Sequence, residues 1–158
     1  MKTLILYYSR TGVTAAAAGQ LAELLGADVE EVRDLKSRAG IVGYLSAGMD
    51  AMLKRPADIA PLARNPADYE LLVFGTPVWA FTMAPAARTA LQQCAQAGGK
   101  AAFFCTMGGS GDRRTFAHMA EAAGQAPVAT LALLERNVRS DTHRQMLADF
   151  AAQLKAVQ

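Results

Sequence analysis

A chain of 158 residues, 52% hydrophobic and 19% charged, has the length of one ordinary domain and the composition of a globular one. That composition excludes disorder driven by low hydrophobicity and high charge, and a core of this size needs no disulfide or metal to hold it. The net charge is only +2 and the basic residues are scattered, which gives nucleic-acid binding little support.

The apolar run near the N-terminus, Thr3 to Tyr8, is too short for a signal-peptide core, and no other run is long enough to span a bilayer. The expectation is a cytoplasmic protein with no membrane association. Cys94 and Cys105 have no metal-ligand spacing and read as small buried thiols.

Lys2 to Tyr8 is β-rich and nearly all apolar, the pattern of a central parallel strand buried on both faces. Ser9 to Thr14 is a polar turn, and Ala15 to Leu25 reads as a helix that stops at Gly26. Val29 and Val32 alternate with charges, as in a strand nearer the sheet edge. Ile41, Tyr44, Leu45, Met49, Met52 and Leu53 recur at helical spacing, and a stretch with Pro56, Pro61 and Pro66 follows as an ordered surface wrap. Leu71 to Phe74 is the next buried strand and ends in Gly75-Thr76-Pro77. A helix from Ala84 to Ala97 stops at Gly98-Gly99. Ala101 to Cys105 is a fourth strand, Arg114 to Ala123 a helix, Val128 to Leu133 a fifth strand, and Asp141 to Ala156 a closing helix.

This five-fold alternation predicts an α/β fold over residues 1–158, a single domain with helices on both faces of an open parallel sheet. Right-handed crossovers favour a five-stranded sheet of order 2-1-3-4-5. Ligands of such sheets bind beyond the carboxyl ends of the strands, beside strand one. Three loops meet there. Ser9-Arg10-Thr11-Gly12-Val13-Thr14 offers hydroxyls, a glycine and amides at a helix N-terminus, which suits one phosphate. It has no Walker lysine, and a plain N-capped turn is its alternative reading. Thr76-Pro77-Val78-Trp79-Ala80-Phe81 carries the only tryptophan and a phenylalanine, which suit a flat aromatic ligand or, alternatively, core beneath the loop. Thr106-Met107-Gly108-Gly109-Ser110-Gly111 lets the backbone come close to a heterocycle, and does not match a dinucleotide fingerprint.

Together, Ser9-x-Thr11-Gly12-x-Thr14, Gly75-Thr76-Pro77-Val78-Trp79 and Thr106-x-Gly108-Gly109-Ser110-Gly111 resemble the three cofactor loops of short-chain flavodoxins. The resemblance covers nearly the whole chain. It implies a flavodoxin-like three-layer sandwich that binds FMN without a covalent bond. Carried over, Ser9, Thr11, Gly12 and Thr14 hold the phosphate with the Arg10 and Val13 amides. Thr76, Pro77 and Val78 flank the ribityl chain and ring, Trp79 and Phe81 pack at the ring, and Thr106, Met107, Gly108, Gly109 and Gly111 line its pyrimidine side. Val13 stands where asparagine is common in that loop, and the chain lacks the strong acidity of carrier flavodoxins.

Other residues take blander readings. His118 and His143 are expected to be exposed or capping, Asp112 to be an N-cap, Arg113 and Arg114 to be a solvated helix start, and the methionines to fill core. No ionisable residue stands out as catalytic. The resemblance implies electron transfer through FMN, with a redox partner protein or NAD(P)H and a monomer or weak dimer as the expected state. An NAD(P)H-dependent quinone or flavin reductase is the alternative, and a cofactor-free interaction domain a third. Phosphorelay is excluded, because Tyr8-Ser9 and Gly75-Thr76 stand where a receiver domain needs acidic residues.

Overall fold

The computed structural model describes residues 1–36 and 40–157. Its strands are β1 (Thr3–Tyr7), β2 (Asp28–Glu31), β3 (Leu71–Trp79), β4 (Thr82–Met83), β5 (Lys100–Met107) and β6 (Thr130–Leu134). Five are parallel, in the order β2-β1-β3-β5-β6, which is the expected order with one extra strand in the count. That extra strand, β4, pairs antiparallel with the end of β3. The helices are α1 (Val13–Leu25), α2 (Gly40–Met52), α3 (Pro85–Cys94), α4 (Asp112–Ala123), α5 (Glu135–Arg139) and α6 (Arg144–Ala156).

Period-two alternation along the central strands divides the core in two. Leu4, Leu6, Leu72, Phe74, Ala101 and Phe103 point to one face, where α3 and α4 supply Leu91 and Met119. Ile5, Leu71, Val73, Ala102 and Phe104 point to the other, where α1 and α6 supply Leu21 and Phe150. Ala17 and Ala18 are fully buried, so the alanine run brings α1 close onto the sheet. Gly75 does the same within the sheet: the Phe104 ring occupies the space that a Cβ there would need, at 2.1 Å.

Several boundaries differ from the expectation. α1 starts at Val13, two residues early. β3 does not stop at Phe74 but runs on through Thr76 and Pro77, paired with Cys105 and Thr106. A proline is tolerated there because the β1 register ends at Tyr7 opposite Gly75, so no strand remains on that side to need its N–H. α3 stops at Cys94, and the fifth parallel strand is Thr130–Leu134. The closing helix, expected from Asp141, starts at Arg144, because Asp141 takes a left-handed φ of 60° before it; α5, which ends at Arg139, is an additional helix beyond those expected.

His143, at the N-cap position of α6, is fully buried and not exposed. Its imidazole is hydrogen-bonded to Gln20 Oε1 at 2.5 Å and to the Asn137 carbonyl at 3.3 Å, which ties α1 to the α5–α6 joint. Met83 and Met119 are core, whereas Met49, Met52 and Met146 are exposed. The prolyl segment is the ordered wrap expected: Asp34 bridges to Ile59, and the Ala63 and Arg64 amides donate to the Glu30 carboxylate.

Both cysteines are buried and free. Burial first, then Glu30, raises the Cys94 thiol to about 11; burial first, then Asp112, raises Cys105 to about 12. Both are therefore neutral thiols at pH 8, and the folded protein will not react with a thiol-exchange reagent there until denaturant is added. Gly75→Ala will lower stability by about 1–3 kcal/mol, because the Phe104 ring must move. A thermal or urea melt reads the change.

Candidate functional site

The carboxyl ends of β1, β3 and β5 lie side by side, and each runs into one of the three loops singled out above. At the first, Gly12 is the N-cap of α1 with φ 93°, a left-handed conformation that glycine adopts freely. A Cβ on Gly12 would meet nothing within 4 Å, so the space in front of the loop is open. The cap supplies no side-chain hydrogen bond to the helix. The first amides of α1 therefore point to the edge as a positive helix end suited to an anion. Ser9 Oγ accepts from the Gly12 amide at 3.1 Å and holds the loop in shape. Val13 turns its side chain into the core, while Arg10, Thr11 and Gly12 are exposed.

Thr14 points inward. Its hydroxyl is hydrogen-bonded to that of Thr106 at 2.8 Å, and both residues are almost wholly buried. Thr76, fully buried, donates to the Pro77 carbonyl at 2.9 Å and accepts from the Ala84 amide at 3.0 Å. The structure thus places these three hydroxyls within the frame of the site.

The second loop is a tight hairpin. Trp79 pairs with Thr82, and between them Ala80 (φ 48°) and Phe81 (φ 61°) are both left-handed. That is the type I′ pattern, which normally calls for Asn-Gly. A non-glycine residue in this conformation costs about 1–2 kcal/mol, so the hairpin holds strain at the sheet edge. Phe81 is 57% exposed, which leaves the core reading of this ring unsupported. Trp79 is half-buried and meets Tyr8 edge-on, with ring centroids 5.4 Å apart and planes at 87°.

The third loop repeats the design of the first. Gly111, not Asp112, is the N-cap of α4, with φ 106° and no side-chain cap hydrogen bond; Asp112 is the first helical residue. A Cβ on Gly111 would lie 2.9 Å from Val78 Cγ1 and 3.3 Å from Phe81 Cδ1, so this glycine lets the third loop pack against the hairpin. Gly108 and Gly109 are exposed with open space beside them, Met107 is half-buried, and Pro77 is buried beneath.

Four features escaped the sequence reading. Tyr8 steers Trp79, and Tyr44 on α2 carries the Arg10 guanidinium over its ring at 5.3 Å. Beside the hairpin, the Thr82 hydroxyl is hydrogen-bonded to His118 Nδ1 at 2.7 Å and accepts from Arg88 Nη2 at 3.3 Å. His118 is thus neither exposed nor capping, and the buried Arg88 has no carboxylate within ion-pair distance among the described residues. The left-handed Ala80 has no sequence signal at all.

Two glycine-capped helix N-termini and an aromatic hairpin on one sheet edge define a class of doubly wound α/β protein that presents backbone amides and aromatic surface side by side. The flavodoxin family model matches residues 2–149, and the chain belongs to the flavodoxin family. It is similar to a flavoprotein from Lactobacillus acidophilus NCFM in complex with FMN, at 25% identity and a TM-score of 0.70, over 88% of this chain and 97% of that one. It also resembles a WrbA-like flavodoxin from Agrobacterium tumefaciens (15%, TM-score 0.60, 99% of each chain). Flavodoxin 1 from Bacillus cereus shares the fold as well (16%, TM-score 0.58, 97% of this chain and 96% of that one). No curated protein matches the sequence. No helix among the described residues is long and apolar enough to cross a membrane.

Burial lowers the His118 pKa from its ordinary 6.5, and Lys54, Arg88 and Arg114 lower it further against an opposing Glu121. Its imidazole is therefore neutral at pH 7. An NMR titration will place its midpoint below 6.5, and Arg114→Ala will move that midpoint upward. Because the unfolded chain binds this proton first, the group reduces stability as pH falls below the unfolded value.

Proposed function

We propose that this flavodoxin-family chain binds FMN non-covalently and transfers electrons through it. The observation that carries the proposal is the pair of glycine-capped helix N-termini, α1 and α4, flanking one aromatic hairpin. FMN offers one phosphate and one flat ring, which match that arrangement. The family match and the FMN complex of the L. acidophilus relative support the same cofactor.

In this reading the phosphate lies against the α1 N-terminus, held by the amides from Arg10 to Thr14 with the Ser9 and Thr11 hydroxyls. Pro77 and Val78 line the ribityl and ring region. Trp79 and Phe81 supply aromatic surface, and Gly108, Gly109 and Gly111 keep side chains away so that backbone groups reach the polar edge of the ring. Thr14, Thr76 and Thr106 set the spacing of the loops. Bound FMN supplies one- and two-electron redox chemistry, and the protein supplies orientation and electrostatics. The electron donor or acceptor is a partner protein or NAD(P)H.

One observation favours a second reading, an NAD(P)H-dependent quinone or flavin reductase. Trp79 rests edge-on against Tyr8, and an indole that stays beside a bound flavin ring would leave a face for hydride. Mixing FMN-loaded protein with NADPH without oxygen separates the two: rapid bleaching of the flavin marks a reductase, and stable colour a carrier.

The purified protein will bind FMN far more tightly than riboflavin, as calorimetry or fluorescence titration will show. Equal affinities would remove the phosphate loop from the site. Gly12→Val will abolish FMN binding, since it fills the open space before the loop and strains a left-handed residue. FMN will also quench the single tryptophan, and Trp79→Ala will cost about 1–3 kcal/mol of binding, by analogy with base–aromatic stacking.

A further inference from the structure

Helix α2 is built inside out. Gly43, Ala47 and Ala51 recur every four residues and are the ones turned onto the body of the protein. Ile41, Leu45, Met49 and Met52 form the opposite stripe, flanked by Val42 and Tyr44, and all six are at least half exposed, Ile41 and Val42 at 81%. A solvated surface helix shows the reverse pattern, with its apolar stripe inward and charges outward.

These side chains present on the order of 800 Å² of apolar surface, above the few hundred Å² that monomers usually show in one patch. The amount matches one side of a standard protein interface, about 800 Å² per partner, and exceeds what a flavin-sized ligand covers. The helix carries one charged residue, Asp50, and Lys36 and Arg55 hold it at 3.4 and 3.5 Å. The exposed stripe is thus uncharged. That suits a two-fold axis, where any charge on the patch faces its own copy.

We propose that the α2 face is a homodimer interface, with α2 of one copy packed against α2 of a second. The area and neutrality of the stripe favour this occupant over a small ligand, and the basic groups at its rim, Lys36, Arg55 and Arg10, are engaged with Asp50 and Tyr44. The Arg10–Tyr44 contact places the interface next to the first loop, so the partner copy walls the site on that side. The proposal does not depend on FMN, and apo and FMN-loaded protein are expected to behave alike.

Sedimentation equilibrium of the full chain tests it. At about 10–50 μM the wild type is expected at twice its 16.7 kDa monomer mass. Leu45→Glu with Met49→Glu puts four like charges across the axis and is expected to give monomer with an unchanged far-UV spectrum. Should that variant misfold, Ile41→Arg alone, at the exposed start of the helix, serves the same purpose. A monomeric wild type overturns the proposal, as does a dimer that survives a folded variant. Monomer that co-sediments with phosphatidylcholine–phosphatidylglycerol vesicles also overturns it and assigns the face to lipid.

Discussion

The hydrogen bond between the Thr14 and Thr106 hydroxyls sets the geometry on which the site depends. Thr14 lies in the first turn of α1 and Thr106 near the end of β5, and both are buried. Water cannot reach either hydroxyl, so each is satisfied by the other. Leaving one unpaired would cost about 1–3 kcal/mol, more than the net gain from a typical hydrogen bond. The bond thus fixes the first loop relative to the third. Thr76 does the equivalent for the hairpin, since it bridges β3 and the N-cap of α3 and pins both ends of the segment between them. With these hydroxyls turned inward, what the frame presents at the sheet edge is mainly backbone amide. Backbone is rigidly placed by the strands and helices behind it, which is what anion binding without a lysine requires.

The edge is also where the chain departs from its easiest conformations. Gly12 and Gly111 take positive φ without cost, but Ala80 and Phe81 do so against their own preference. Ala80 and Phe81 hold because Trp79 and Thr82 pair across the turn, and Thr82 is anchored by His118 and Arg88. A looser turn would relax that strain and lose the placement of Phe81 against Gly111. Strain of this kind persists where the surroundings over-determine it, and here the surroundings are the loops of the site.

Patterns repeated along several residues were legible in the sequence. The buried parallel strands, their order, the helices between them and the three loops at their ends all follow from periodicity and glycine placement. Features set by tertiary neighbours were not. Pro77 reads as a strand stop, yet it sits within β3 because β1 has already ended beside it. Asp112 reads as a cap, but it is already helical and Gly111 takes that place with φ 106°, where a larger residue would also strike Val78. His143 reads as exposed or capping; it does stand at the N-cap of α6, but its imidazole is buried, held by the Asn137 carbonyl and by Gln20, far away in sequence. The methionines of α2 read as core, because periodicity reports that a helix has two faces and not which face is inward.

Access to the ring, more than the fold, separates an electron carrier from a reductase in this frame. Tyr8 is fixed at the end of β1 by its amide, which donates to the Gly75 carbonyl at 3.0 Å, and Trp79 rests edge-on against it. An edge-on aromatic pair is worth about 0.5–1.5 kcal/mol beyond its buried area. Stacking on a flat ligand is worth about 1–3 kcal/mol per ring. The two ranges overlap, and the first leaves out the area that Trp79 buries against the core, so its present packing holds the indole about as firmly as a bound ring would draw it. The opposing constraint is the hairpin, because a Trp79 that swings far must carry its Thr82 pairing and the strained turn with it. The indole is therefore kept at the edge, packed against the core and against Tyr8.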